Sequence, residues 1–318
     1  MNIQQFQYVL SVVDSKNFEE AAERCFVTQS TLSTMIGRLE DEIGVKIFNR
    51  KTKPVSITPE GESIIDRFRI ILHEIDSLNN VVQELKGEMI GEFRIGIIPT
   101  VAPYILHLFL SKFASRFPKV RIIVKEMTTA HIQEALKIRA LDVGIAALPL
   151  NDQELLEYEL YSEPFWVYDC RQEQSKSKIS IDKLDYSNLW LLQEGHCLRS
   201  QVYQICELSN KHSKSNINFE FESGSMSSLL RFTRASKGIT IIPYLATLDL
   251  PLTECCKLIE FQAPIPARSV GLLTHKFFVK KQLLIALQET IKQSVLGLIP
   301  VGESHKVMNP SHASTSSA

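Results

Sequence analysis

Apolar side chains recur at helical spacing in three short segments at the start of the chain. The second segment follows an N-cap at Asn17 or Ser15, and the third runs from Ser30 to Glu42 after a brief connection. The apolar positions of the first and third segments are Ile3, Phe6, Val9, Leu10, Val13, Leu32, Ile36 and Leu39. Two helices joined by so tight a turn predict a helix-turn-helix.

One long segment follows, in which apolar residues alternate between four and three positions apart. Thr58 is a good N-cap and Pro59 a good first-turn residue, so a helix is predicted over residues 59–88. The apolar seam consists of Ile64, Phe68, Ile71, Ile75, Leu78, Val82 and Leu85. This heptad spacing favours a helix that pairs with a second copy of itself. A helix packed on the core of its own domain is the alternative.

Strand and helix patterns alternate from residue 91 to residue 300. Strands are predicted at residues 93–98, 120–125, 141–147, 165–168, 189–192, 218–221, 238–242 and 269–274, with the first two helices at 103–117 and 130–140. The alternation predicts a parallel, doubly wound sheet, long enough to form two α/β lobes with a cleft. Ligands of such sheets bind beyond the carboxyl ends of strands, where Thr100, Thr128 and Thr129 fall. Capping of the next helices is an equally good role for these threonines.

Composition and charge limit the class of protein. The chain has 318 residues, 44% hydrophobic and 22% charged, with a net charge of -1, which is ordinary for a globular protein. No apolar run is long enough to span a membrane and no signal peptide is evident, so we expect a cytoplasmic protein without a membrane partner. The predicted domains are 1–58, a linker helix at 59–90, an α/β domain at 91–300 and a disordered tail at 301–318.

The exposed side of the third helix and the segment after it are candidates for DNA contact. Short hydroxyl and amide side chains on that helix can approach base edges in a major groove. Basic residues in the next segment, which ends in short β-type sequence, suit a wing on the phosphate backbone, although a solvated basic loop is the alternative. The candidate residues are Thr28, Gln29, Ser30, Thr31, Ser33, Thr34, Arg38, Arg50, Lys51 and Lys53.

The six cysteines do not form a metal-binding or disulfide-scaffold pattern, so neither metal nor cofactor is expected. Cys197 follows Gly195 and is predicted near a helix N-terminus, with His196 and Arg199 as neighbours. Positive charge and a helix N-terminus favour the thiolate, which peroxide oxidises to a sulfenic acid. Cys206 is a candidate second thiol, but these residues alone favour two unrelated buried thiols. Cys25, Cys170, Cys255 and Cys256 have no predicted role.

The stretch from Phe6 to Gly61 resembles the DNA-binding module of LysR-type transcriptional regulators. The matching residues are Ala21-Ala22, Val27 to Ser33, Arg38-Leu39-Glu40, Ile43-Gly44, Phe48, Arg50 and Thr58 to Gly61. The resemblance extends over residues 1–300 and implies a winged helix-turn-helix, a dimerising linker helix and an effector domain like a periplasmic binding protein. It also implies promoter DNA and RNA polymerase as partners and a homodimer or homotetramer. Ser30 departs from the family, since many relatives carry Pro there.

A second set of residues resembles the peroxide-sensing members of that family. It comprises Gly195 to Arg199 with Cys206, Ile98 to Val101 with Pro103-Tyr104, Gly238 to Thr240 with Ile242-Pro243, and Arg268 with Val270 to Leu272. The resemblance implies that Cys197 is peroxidatic, that Cys206 resolves it, and that a glutaredoxin- or thioredoxin-like reductant restores both. It implies a peroxide pocket of Thr100, Thr129, His196 and Arg268. Ser200, where relatives often have Asp, and the offset His131 are departures.

Three other functions compete with peroxide-responsive transcription control. A LysR-type regulator could bind a metabolite in the cleft and carry incidental cysteines. A thiol peroxidase would turn peroxide over with an added reductant, but the helix-turn-helix argues against an enzyme. A solute-binding protein is the weakest alternative, because no export signal is evident.

Overall fold

The computed structural model describes residues 1–85, 89–171, 178–208, 223–300 and 305–310. The chain divides into an N-terminal unit, Met1–Ile90 with residues 138–140, and a C-terminal unit, Gly91–Lys137 with Leu141–Ala318. No helix in the described part is long and apolar enough to cross a bilayer. Each unit forms its own hydrophobic core from the periodic apolar positions described above.

The N-terminal unit begins with three helices: α1 at Ile3–Ser15, α2 at Phe18–Arg24 and α3 at Gln29–Ile43. Each begins at a residue whose side chain accepts a hydrogen bond from a backbone N–H of the first turn, namely Asn2, Asn17 and Thr28. Leu32, Ile36 and Leu39 of α3 are fully buried. The predicted helix-turn-helix is confirmed.

The predicted wing is also present, as a two-stranded hairpin of β1 at Phe48–Asn49 and β2 at Ser56–Ile57. The carboxylate of Glu40, at the end of α3, is buried and accepts hydrogen bonds from the N–H groups of Ile47 and Phe48 at 2.9 and 3.3 Å. This acidic residue of the recognition module therefore fixes the start of the wing on α3.

Helix α4 spans Pro59–Leu85, and the side chain of Thr58 accepts a hydrogen bond from the Gly61 N–H at 3.0 Å, as an N-cap does. The first part of its seam packs on its own unit, because Phe68 stacks on Phe6 with ring centroids 4.3 Å apart. Farther along, Ile71, Leu78 and Val82 are exposed. Each of the two interpretations of the seam thus fits a different half of the helix. Residues 86–88 and the side chain of Leu85 lie outside the description.

The C-terminal unit contains nine strands in one sheet, surrounded by helices. Its strands are β3 Gly91–Ile97, β4 Val120–Glu126, β5 Val143–Leu148, β6 Leu155–Asp169, β7 Lys178–Ile179, β8 Ile239–Pro243, β9 Leu258–Phe261, β10 Ile265–His275 and β11 His305–Val307. Its α-helices are α5 Ala102–Arg116, α6 Thr129–Lys137, α7 Cys197–Leu208, α8 Met226–Ala235, α9 Tyr244–Thr247 and α10 Lys281–Val295. The main strand order is β4-β3-β5-β10-β6-β9-β7.

The sheet is mixed, so the prediction of a wholly parallel sheet is wrong. Strands β3, β4 and β5 are parallel, as their crossover helices α5 and α6 require. No helix separates β5 from β6, and both β5 and β6 run antiparallel to β10. A chain that reverses through a short connection pairs antiparallel with its neighbours.

Two lobes share the long strands, as expected. The first half of β6 pairs with β10, which also adjoins β5, whereas the last half of β6 pairs with β8 and β9. Strands β6 and β10 therefore run through both lobes. Of the other predicted strands, residues 189–192 form only isolated bridges, and 218–221 lie outside the described residues.

Residues 305–310 contradict the predicted disordered tail. Strand β11 adds to the sheet in parallel with Ile265–Ala267 of β10, and Met308 is only 2% exposed. The polar composition of the tail concealed this short docked segment, because one buried Met and backbone pairing suffice to hold it. Residues 301–304 and 311–318 lie outside the description.

Candidate functional site

Cys197 is the first residue of α7, directly after the turn at Gly195, which has a φ of 88°. The predicted position at a helix N-terminus is confirmed. A positive φ is accessible to glycine at little cost, so Gly195 lets the chain enter the helix sharply. The side chain is 6% exposed. The thiol thus lies at the positive end of a helix dipole but away from bulk water.

Two threonines and an arginine surround the Cys197 thiol. Thr100, Thr129 and Arg268 all act on its pKa. Thr100 follows β3 and Thr129 begins α6 after β4, so both come from the carboxyl ends of parallel strands, as predicted. The Thr129 hydroxyl is buried and has no hydrogen-bond partner of normal geometry among the described residues. A buried donor of this kind is free to bind an incoming oxygen.

The Arg268 guanidinium is fixed from two sides. Its Nε donates to Glu163 Oε1 at 2.9 Å, and its Nη1 and Nη2 donate to the hydroxyl and the carbonyl oxygen of Thr100 at 3.1 and 3.0 Å. Arg268 is 1% exposed and Glu163 is not exposed. Since Glu163 Oε2 also accepts from the Leu245 N–H at 2.8 Å, the ion pair has additional support.

Sequence reasoning missed Glu163 and Tyr161. Both belong to β6, where a lone acid between apolar and aromatic residues is the pattern that could have revealed Glu163. The Tyr161 hydroxyl is buried without a hydrogen-bond partner among the described residues, and burial raises its pKa, with Glu163 raising it further and Arg268 lowering it. The pocket wall therefore carries a second unpaired hydroxyl.

The expected resting thiolate is wrong for this structure. Burial raises the pKa of the Cys197 thiol, and this outweighs the lowering by Arg268 and by the Thr129 and Thr100 hydroxyls. Burial likewise lowers the pKa of His196, so its imidazole is neutral near pH 7. Arg199 donates to the Leu192 carbonyl at 2.9 Å and lies over the Tyr203 ring. The positive charge that acts on the thiol is that of Arg268.

Cys206 lies nine residues beyond Cys197 on the same uninterrupted helix. At a rise of about 1.5 Å per residue, their Cα atoms are ~13 Å apart. A disulfide needs Cα atoms roughly 4.4–6.8 Å apart. Both cysteines are free thiols, Cys197 buried and Cys206 partly buried. The structure therefore has the reduced arrangement, and a bond between the two sulfurs requires α7 to unwind.

The remaining candidates near the pocket are placed as follows. His196 is buried, 7% exposed, at the residue before α7. His131 is exposed, and its Nδ1 lies 3.0 Å from the Thr128 hydroxyl, so it forms part of the α6 cap. Ser200 is within the first turns of α7. The described residues contain no group of three or more His, Cys, Asp or Glu side chains that could hold a metal.

The predicted DNA-contact residues lie on one connected surface of the N-terminal unit. Gln29, Ser30, Thr31, Thr34 and Arg38 of α3 are exposed, as are Arg50, Lys51 and Lys53 of the wing. Arg50 connects the two elements, since its Nη1 donates to the Ser33 hydroxyl at 2.8 Å and its Nη2 donates to Glu40 Oε2 at 3.3 Å. Thr28 has a structural role as well, as the N-cap of α3.

Comparison with known protein families gives two matches that together cover most of the chain. The bacterial regulatory helix-turn-helix protein family of the lysR type matches residues 3–62, and the LysR substrate binding domain matches residues 86–295. A hydrogen peroxide-inducible genes activator of Haemophilus influenzae is 30% identical, over 86% of this chain and 90% of that protein. The HTH-type transcriptional regulator EstR of Acinetobacter baylyi is 31% identical, over 86% and 91%.

Solved structures match along the whole length. A full-length OxyR variant from Pseudomonas aeruginosa has a TM-score of 0.76 and 27% identity, covering 92% of this chain and 95% of its own. A mutant OxyR of Corynebacterium glutamicum bound to H2O2 has a TM-score of 0.61 and 25% identity, covering 96% and 98%. The helix-turn-helix, the linker helix, the two-lobed domain and these matches together show that the chain belongs to the LysR family of transcriptional regulators.

Proposed function

We propose that this chain is a DNA-binding transcriptional regulator that senses hydrogen peroxide through a reversible Cys197–Cys206 disulfide. The observation that carries the proposal is the position of Cys197 at the start of α7, among Thr100, Thr129 and Arg268, with a second cysteine on the same helix. Relatives named hydrogen peroxide-inducible genes activator support it, as does the similarity to an H2O2-bound OxyR mutant.

The pocket has the groups that the first oxidation step requires. The Thr129 hydroxyl, with Thr100 and His196 beside it, holds the peroxide against the sulfur. The Cys197 thiolate attacks one peroxide oxygen, the O–O bond breaks, and the product is a sulfenic acid and hydroxide, which is protonated to water. Arg268 stabilises both the thiolate and the leaving hydroxide, because its charge is held at the pocket by Glu163 and Thr100.

The second step converts the chemical change into a structural one. The Cys206 thiolate attacks the sulfenic sulfur, and a second water leaves as the S–S bond forms. Two thiols and one H2O2 thus give one disulfide and two waters. The separation of ~13 Å along α7 must collapse, so the oxidised lobe adopts a different packing. A glutaredoxin- or thioredoxin-like protein supplies the two electrons that restore the thiols.

The N-terminal unit supplies the output. Helix α3 enters a major groove with its short polar side chains, and the wing lies on the phosphate backbone through Lys51 and Lys53. We infer that the regulator acts in the cytoplasm as a homodimer or homotetramer paired through the exposed half of α4. Changed spacing of the subunits on promoter DNA then alters contact with RNA polymerase. Neither a metal nor another cofactor takes part.

A second candidate function is regulation by a small metabolite bound in the effector domain. The similarity to EstR, at 31% identity, favours it as much as identity alone favours peroxide sensing. In that case, Cys197 and Cys206 would be incidental buried thiols.

Thiol mapping separates these functions. The reduced protein is treated anaerobically with about one equivalent of H2O2, its thiols are trapped, and its peptides are analysed by mass spectrometry. We expect a rapid Cys197–Cys206 disulfide that is absent from Cys197→Ser, with Cys255→Ser as the matched control at an exposed cysteine. Two free thiols after this dose would contradict the redox function and favour the metabolite. Continued turnover of excess peroxide with an added reductant would indicate an enzyme.

A further inference from the structure

The C-terminal segment 305–310 is bound to the sheet next to Arg268. Strand β11 pairs with Ile265–Ala267, and the Met308 N–H donates to the Ala267 carbonyl oxygen at 2.8 Å. Met308 is 2% exposed, whereas the preceding Val307 is 47% exposed. The segment is therefore anchored by backbone pairing and by one buried side chain, immediately before the arginine of the pocket.

The same segment is also bound to α7, between the two cysteines. The buried Gln201 donates from Nε2 to the Met308 carbonyl oxygen at 3.1 Å. Gln204 makes two bonds to Asn309: its Nε2 donates to the carbonyl oxygen at 2.6 Å, and its Oε1 accepts from the N–H at 2.9 Å. Three hydrogen bonds thus tie the helix that carries Cys197 and Cys206 to a strand that also pairs with β10.

We propose that residues 305–310 act as a strap, a positioning element that holds α7 in its reduced, helical form and keeps Cys197 against Thr100, Thr129 and Arg268. The proposal rests on the peroxide-sensing function proposed above. In the strapped form Cys197 faces the pocket. When the disulfide forms, the strap is released from α7.

The strap and the disulfide exclude each other for a geometric reason. The three hydrogen bonds need Gln201 and Gln204 at their helical positions, three residues apart on one side of α7. The disulfide needs the Cα atoms of Cys197 and Cys206 within about 7 Å, which a helix of that length does not permit. Because the two states compete, coupling is reciprocal: loss of the strap favours the disulfide, and the disulfide weakens the strap by the same factor.

The test measures the reduction potential of the full-length chain in dithiothreitol redox buffers, in which oxidised dithiothreitol accepts the two electrons of the two thiols. The reduced and disulfide forms are quantified by trapping and mass spectrometry. The matched variants are Met308→Ser, which removes the buried anchor, and Val307→Ser, which changes an exposed neighbour. We expect Met308→Ser and Gln204→Ala to favour the disulfide on the order of tenfold, or about 30 mV, and Val307→Ser to match the parent.

Chain ends give a second comparison that does not depend on a core substitution. A chain ending at residue 310 keeps the strap and should match the full chain, while one ending at residue 304 should shift as Met308→Ser does. An element that only stabilises the fold would lower the melting temperature of both redox forms equally and leave the potential unchanged. An unchanged potential in all three strap variants would overturn the proposal.

Hydrogen exchange tests release directly. Backbone amides of 305–310 should be protected in the reduced full chain and lose protection after H2O2 treatment, whereas Cys206→Ser should stay protected. Continued protection in a chain shown to contain the Cys197–Cys206 disulfide would overturn the strap and leave the sensor function intact. Absence of that disulfide from the parent chain would instead contradict the proposed function itself.

Discussion

At the scale of single residues, the balance of charge and burial at Cys197 decides its chemistry. A helix N-terminus and the Arg268 guanidinium both favour a thiolate, yet burial is the larger influence and raises the pKa of the thiol. Proximity in sequence pointed to His196 and Arg199 as the activating groups, but the charge comes from a residue on a distant strand.

The pH dependence of oxidation follows from that balance. Since only the thiolate reacts and the pKa is raised, we expect the rate of Cys197 oxidation to increase with pH from 6 to beyond 8.5. Arg268→Gln should move the curve to still higher pH, because the group that lowers the pKa is lost. Rates are measured by stopped flow in a Cys206→Ser background, with Arg121→Gln as a control at an exposed arginine. A plateau below pH 7 would contradict the raised pKa.

The unpaired Thr129 hydroxyl predicts a separation between rate and stability. Thr129→Val removes a donor aimed at peroxide but breaks no hydrogen bond of the described structure. We expect a fall of ~10–100-fold in the oxidation rate with little change in melting temperature. Thr274→Val is the control, since that hydroxyl is equally buried and unpaired but lies six residues beyond Arg268 on β10. Equal rates for both variants would exclude a role for Thr129.

At the scale of elements, the helices were the most predictable part of the fold. Their N-caps and apolar spacing are local, and α1 to α4 begin within about one residue of the predicted positions. Strand β6 was predicted only at residues 165–168, because Glu157, Glu159 and Glu163 interrupt its apolar pattern. The direction of β6 and β10 depends on distant pairing, which no local pattern records.

The junction between the wing and α4 makes a sharp prediction about two glycines. A Cβ at Gly61 would lie 2.6 Å from the Ile47 carbonyl oxygen, so Gly61→Ala should destabilise the fold by about 1–3 kcal/mol. Gly37 has its nearest such neighbour, Arg50 Nη2, at 4.0 Å and lies inside α3. Gly37→Ala should therefore stabilise by ~0.5–1 kcal/mol. Opposite shifts in urea midpoint are expected, and shifts of the same sign would contradict this account.

At the scale of the whole molecule, the pocket assembles residues that are far apart in sequence. Thr100, Thr129, Cys197 and Arg268 come from four different elements, and only the resemblance to a family brought them together before the fold was known. Glu163 remained unpredicted, because its role is to hold Arg268 and nothing near it in sequence reports that contact. Fold class and DNA-contact surface were accessible from local patterns, whereas the electrostatics of the pocket were not.

Assembly is predicted to depend on the exposed half of α4. Leu78 is 64% exposed on a helix that otherwise shows a heptad seam. Leu78→Glu should weaken self-association at least tenfold, because a charge would be buried in each copy, while the melting temperature of the monomer stays the same. Arg67→Glu, exposed on α4 but off the seam, is the control. Analytical ultracentrifugation measures both, and an unchanged dimer in Leu78→Glu would refute pairing through this helix.

The burial of Cys197 has one more consequence, for which oxidants the cell's regulator can report. A protonated thiol with 6% of its side chain exposed is a poor target for bulky electrophiles, glutathione disulfide among them. Hydrogen peroxide is small enough to enter and brings its own hydrogen-bonding groups to the unpaired hydroxyls inside. Seclusion thus works as a molecular sieve. It trades reaction speed in the empty pocket for selectivity, so that background thiol chemistry leaves the sensor silent.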